Sequence, residues 1–178
     1  MSSKNILFVL ISLTLTSFTT LNWQEFKSNE GKFIVKVPGE MTEKSRTMKT
    51  DLGDLNFHQF IFKPQEKNPD NVFYLVSYCD YPKGTFPKDS TELINDFFNE
   101  TIETSVKSVA GKLAYQSDIQ LVTYLGKIWR VTYNKENATI KSKCFLVNDR
   151  FYMLQTMMTK TKSMNLAADK FLDSFQIF

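Results

Sequence analysis

The chain has 178 residues, 42% of them hydrophobic and 14% aromatic, with a formal net charge of +3. A single domain of this size buries roughly 68–70% of its unfolded surface and needs no metal or disulfide staple. Such apolar content excludes intrinsic disorder. So slight a positive balance, without a basic stripe, sets nucleic-acid binding aside.

At the start of the chain, Lys4 precedes an apolar run from Ile6 to Leu15, which fades into Thr16, Ser17, Phe18, Thr19 and Thr20. A positive start, an apolar middle and a small-residue end make a secretory leader. The run is shorter than the ~20 residues of a membrane-spanning helix and carries Ser12 and Thr14. Residues 1–20 are therefore expected to be a signal peptide, cut between Ser17 and Leu21. Residues 21–178 are expected to form one exported domain, periplasmic or extracellular.

A first strand is predicted from Trp23 onward. Phe33, Val35 and Val37 then alternate with Lys32, Ile34 and Lys36, the period of a half-buried strand. Turn residues punctuate the chain at 29–31, 51–54, 64–69, 82–87, 134–137 and 148–149. Two runs, Val72 to Tyr78 and Phe151 to Met158, are apolar on both faces, which predicts inner strands of a sheet covered on both sides. A helix is predicted to begin at Asp89 or Ser90, with Glu92 completing a capping box. Leu93, Ile94, Phe97, Phe98, Ile102, Val106 and Val109 make its apolar stripe, and Gly111 ends it. Leu113, Tyr115, Ile119, Leu121 and Leu125 are expected on one face of a long strand, with Gly126 marking a turn between strands. A second helix is predicted from about Ser163 to Phe175. Strands, helix, strands, helix, joined by hairpin-length turns, predict an α+β fold. It is an α/β/α sandwich with a mainly antiparallel central sheet and helices on both faces.

Several of these stretches resemble PsbP-like domains, the family named for an extrinsic subunit of photosystem II. Trp23-Gln24-Glu25-Phe26, Glu30-Gly31-Lys32-Phe33 and Val37-Pro38-Gly39 are similar to that family's opening strands. Val76-Ser77-Tyr78-Cys79-Asp80-Tyr81-Pro82 resembles its central strand and exit. Asn148-Asp149-Arg150-Phe151-Tyr152 and Phe171-Leu172-Asp173-Ser174-Phe175 resemble its closing hairpin and last helix. The resemblance implies the same sandwich and a largely non-enzymatic family, whose relatives include a nuclear import factor that binds the GTPase Ran. It implies no cofactor, and no binding residue of those relatives maps onto a position here.

Catalytic and metal motifs are sparse. His58 is the single histidine, and a general base also needs an oriented nucleophile. Cys79 and Asp80 are neighbours on a strand and so face opposite ways, which opposes a Cys79–His58–Asp80 site. There is no Gly-x-Ser-x-Gly elbow, no Cys-x-x-Cys, no His-Glu-x-x-His and no calcium loop. Met153, Met157, Met158 and Met164 could offer thioethers to Cu(I), although gap-filling in a core explains them better. Lys141, Lys143, Lys160 and Lys162 read as solubilising lysines at strand ends. Cys79 and Cys144 can pair in an oxidising compartment or stay as small buried hydrophobes. The segment Tyr81-Pro82-Lys83-Gly84-Thr85-Phe86-Pro87 is the candidate partner-binding loop, through Tyr81, Pro82, Phe86 and Pro87. Its aromatics could equally fold back as lids on the core. The expected function is binding of an unidentified protein partner in the cell envelope, without catalysis and without a metal. The alternative is a small-ligand carrier with a pocket between the sheet and one helix. A hydrolase with an unrecognised site is a third reading.

Overall fold

The period-two alternation and the turn residues divide the described residues into ten strands and two α-helices. The computed structural model describes residues 22–87 and 89–178. The leader expected at residues 1–20 lies outside the described residues. The order is β1 (Gln24–Ser28), β2 (Phe33–Val37), β3 (Thr42–Thr50), β4 (Gly53–Phe62), β5 (Phe73–Asp80), α1 (Thr91–Ser108), β6 (Lys112–Leu121), β7 (Tyr124–Tyr133), β8 (Ala138–Val147), β9 (Arg150–Thr159), α2 (Leu166–Asp173) and β10 (Gln176–Ile177).

Seven strands make one antiparallel sheet in the order β3-β4-β5-β9-β8-β7-β6. The two runs that are apolar on both faces form β5 and β9, and β9 holds the centre. Successive side chains of β9 point to opposite layers. Tyr152 and Leu154 enter one core with Phe33, Val35, Tyr74 and Phe171. Phe151 enters the other with Phe98, Ile102, Trp129 and Cys144. The fold is α+β with a helix on each face of the main sheet.

The two covers are unequal. On the first face, α2 is joined by a three-stranded sheet, β1-β2-β10, which the periodicity did not foretell because β10 is only two residues long. Phe33, Val35 and Val37 of β2 are fully buried there, each burial stabilising by roughly 1.5–3 kcal/mol. On the second face α1 stands alone. Ile94, Phe98 and Ile102, at helical spacing, press it onto Trp129, Val131, Cys144, Leu146 and Phe151. These floor residues belong to β7, β8 and the start of β9. The β4–β5 half of that face has no element over it, and Phe57, Ile61, Phe73 and Leu75 are only half-buried.

Several local expectations need correction. The apolar positions from Leu113 to Leu125 belong to a hairpin, β6 and β7, turned at Val122 (φ 58°). A register shift between Leu113 and Tyr115 splits their faces further. Gly126 lies inside β7 and marks no turn. A Cβ there would come within 2.3 Å of the Cys144 carbonyl oxygen and 2.5 Å of the Phe145 ring. Helix α1 is N-capped by Ser90 without a side-chain bond. Glu92 is therefore its second residue, one short of where a capping box requires it. At its end Ala110, not Gly111, takes the left-handed conformation (φ 46°). The amides of Ala110 and Gly111 donate to Lys107 O (3.1 Å) and Val106 O (2.9 Å), the paired bonds of a Schellman ending. Helix α2 starts later than Ser163, at Leu166, because Asn165 caps it by accepting from the Ala168 amide at 2.8 Å. Its end precedes Phe175, which lies in the first core beyond the helix.

Candidate functional site

The loop after β5 is drawn inward by one carboxylate. Asp149, in the β8–β9 turn, accepts from the Gly84 amide (2.9 Å) and the Phe86 amide (3.0 Å). Those two backbone donors hold its carboxyl below the usual carboxylate range. Phe86 is thereby buried, 7% exposed, in the second core. Its ring lies 4.8 Å from Phe97 and 5.1 Å from Tyr81. Of the candidate loop residues, Tyr81 and Phe86 thus meet each other over α1, while Pro82 and Pro87 are exposed.

Beyond that aromatic cluster a groove of about 610 Å³ runs between α1 and the uncovered part of the sheet. Its floor includes Phe57, Ile140, Phe151, Met153 and Trp129, and its helical wall includes Glu100, Thr101, Thr104, Ser105 and Ser108. Those wall positions follow from helix geometry. Phe97, Thr101, Thr104 and Ser108 form a stripe flanking the buried stripe of Ile94, Phe98 and Ile102. The hydroxyls of Thr101, Ser105 and Ser108 donate to the carbonyls of Phe97, Thr101 and Ser105, each at 2.8 Å. What they leave for another molecule is acceptor capacity. Tyr81 forms one end of the groove; burial, with the nearby charges of Cys79 and Glu100 adding to it, pushes its phenol up to about 12. Trp129 Nε1 is buried with no hydrogen-bond partner among the described residues.

The fold recurs in a solved structure. The cyanobacterial PsbP (CyanoP) of Synechocystis sp. PCC 6803 superposes with a TM-score of 0.59 over 91% of this chain and 96% of that one, at 8% identity. The fold is PsbP-like. PA94, a Pseudomonas aeruginosa protein of unknown function, overlaps 70% of this chain and 86% of its own, at 14% identity and a TM-score of 0.44. No family model matches the sequence, and no curated relative does.

Within this PsbP-like fold the chemistry-bearing residues are kept apart. His58 on β4 faces the first core, stacked on Tyr78 (centroids 4.5 Å, 3° between planes), with Nδ1 3.4 Å from Glu43 Oε1. Arg150 lies over the same tyrosine ring at 4.8 Å and forks onto Asp80 at 2.5 and 2.6 Å. Cys79 points to the opposite face, in register with Phe57, and burial pushes its thiol up to about 11. Cys144 is pushed up to about 12 for the same reason. Both thiols are free. They sit on β5 and β8 with β9 between them. Two strand spacings, about 10 Å, exceed the ~7 Å over which Cα atoms can be bridged. The Cys79–Cys144 disulfide is therefore excluded by strand order, and the buried-hydrophobe reading describes both. Among the described residues no three His, Cys, Asp or Glu side chains gather as metal ligands. Met153 and Met157 share the groove face, Met158 is buried on the other, and Met164 is 90% exposed. Lys141 and Lys143 bind Asp169 and Asp173 of α2, and Lys162 binds Asp70.

The groove wall escaped the sequence reading, although its signal was present. A row of hydroxyls at 101, 104, 105 and 108 flanks the apolar stripe of α1. Hydroxyls on the exposed side of a helix pass as solvated surface until the sheet beneath is known to be uncovered.

Proposed function

We propose that this protein is an exported, non-catalytic member of the PsbP-like family that binds a protein partner in the cell envelope. The observation that carries this reading is the half-open second face. Phe57, Ile61, Phe73, Leu75, Met153 and Met157 lie half-buried on that face beside α1, with Gln59, Ser77 and Gln155 set among them. Exposed apolar groups rimmed by polar ones mark interaction sites. The leader-like residues 1–20 support export. The separation of His58 from Cys79 on opposite faces supports a binding role over catalysis.

The test is capture from the native envelope, comparing the unaltered protein with Leu75→Arg and with the control Lys36→Glu on the small sheet. One stoichiometric protein recovered by the unaltered and control forms, and lost by Leu75→Arg, is the expected result. Equal recovery by all three would remove the open face from the reaction.

A second reading is favoured by the groove itself. Its volume falls within the ~300–1,000 Å³ of small-molecule sites. Its apolar floor and acceptor-rich wall suit a small amphipathic ligand, which would make the domain a carrier.

A further inference from the structure

We propose that β6 pairs with β6 of a second copy of this chain, antiparallel about a two-fold axis at Ser117, so that two main sheets join into one. Both borders of the main sheet, β3 and β6, carry no further strand among the described residues. Unpaired borders invite strand addition, and charged side chains are a common guard against it. β3 carries that guard in Glu43, Lys44, Arg46 and Lys49. On β6, beyond Lys112 at its start, the single charge is Asp118, which pairs with Lys127 of β7. Residues 112–118 are exposed on both faces, so neither cover reaches this border. Leu113 and Tyr115 are left in water there, 41% and 38% exposed.

The side chains choose the register. Tyr115, Ser117 and Ile119 share one face, that of the first core, against which Ile119 packs. In a two-fold pair of identical strands each residue faces the one equally far beyond the axis. With the axis at Ser117, Tyr115 faces the partner's Ile119, and Ile119 faces the partner's Tyr115. Aromatic against β-branched is a favourable cross-strand pair, and symmetry makes it twice. Gln116 faces the partner's Asp118, an amide against a carboxylate. An axis one residue later sets Asp118 against Asp118, and like charges directly opposite repel. An axis one residue earlier sets Tyr115 against Ser117 and forfeits the aromatic pair. The register shift between Leu113 and Tyr115 ends the ladder on either side. So short a ladder buries less than a standard interface, and the dimer is weak, with a dissociation constant of about 10–100 µM. The axis stands perpendicular to the sheet. The open β4–β5 half, near the other border, stays free, and both copies of it face the same side.

Sedimentation equilibrium reads the association, and a cysteine reads its register. The unaltered protein is expected to pass from monomer to dimer between about 1 and 500 µM. Ser117→Lys sets like charges opposite each other at an exposed site and is expected to weaken the dimer at least about tenfold. Lys44→Glu, on the charged border β3, is expected to change nothing. In Ser117→Cys the two thiols meet on the axis within disulfide reach, while the native Cys79 and Cys144 are buried and do not compete. Under air oxidation this variant is expected to give a disulfide-linked dimer at least about tenfold faster than Gln120→Cys, an exposed position on the same strand that lies off the axis. A monomer at every concentration overturns the proposal. So does a dimer that survives Ser117→Lys, one that is lost in Lys44→Glu, or equal cross-linking of Ser117→Cys and Gln120→Cys.

Discussion

Ala110 holds a left-handed backbone at φ 46° in the position that closes α1. An L-residue there costs roughly 1–2 kcal/mol, which glycine avoids at a partly offsetting entropic cost. Ala110→Gly is therefore expected to stabilise the fold by about 0.5–1 kcal/mol, raising Tm by about 2–4 °C in a thermal melt. The residue that looks like the natural terminator, Gly111, is needed for another reason. A Cβ there would meet Val131 Cγ1 at 2.5 Å and the Thr132 carbonyl at 2.9 Å. Glycine marks a close approach of chain to chain as often as a turn, and the two uses look alike in a sequence. Gly126 was misread for the same cause.

Asp149 belongs to the hairpin between the central strands, yet its carboxylate shapes the loop before α1. The linkage has a definite sign. A carboxyl whose folded pKa is depressed contributes its full stabilisation above the ordinary value of 3.8 and loses it as pH falls through the depressed one. The carboxylate's contribution to the loop is thus constant across neutral pH and is lost only in acid. Asp149→Asn keeps one acceptor of two. It is expected to speed hydrogen exchange at the Gly84 or Phe86 amide by about tenfold at neutral pH, which amide-resolved exchange reads directly. Unchanged exchange at both would mean that burial of Phe86, rather than the carboxylate, holds the loop. Elements of this size were the most legible part of the chain. The inner strands β5 and β9 and the helical stripe of α1 follow from spacing, because burial on one face or two writes itself into periodicity, and the six turn clusters follow from residue type. The short strand β10 depends on a tertiary partner, β2, and the start of α2 on the local Asn165 cap, and apolar spacing carries no trace of either.

At the scale of the whole molecule the two layers differ in depth. Leu154 is fully buried between the main sheet and its double cover, while Leu75 sits half-buried on the open side. The same truncation at both measures the asymmetry. Leu154→Ala is expected to cost about 2–5 kcal/mol and Leu75→Ala about 1 kcal/mol in denaturant unfolding. Equal losses would show that the second face is covered in solution. The sandwich itself could be anticipated from the doubly apolar strands, but the extent of each cover could not. A stripe on a helix says that it packs, and not how wide a sheet it must shield. The groove lies in that unstated remainder.

The sheet consists of two meanders, β3-β4-β5 and β6-β7-β8-β9, that meet along a single seam where β5 pairs with β9. Phe73 on that seam must find Met157, and Asp80 must find Arg150. Ribosomes deliver β9 almost last, so a nascent chain carries its first meander with an unclosed border until synthesis is nearly complete. Pairings this distant in sequence form slowly. If the chain is exported as proposed, that delay would be useful, because closure of the seam would then coincide with arrival on the far side of the membrane.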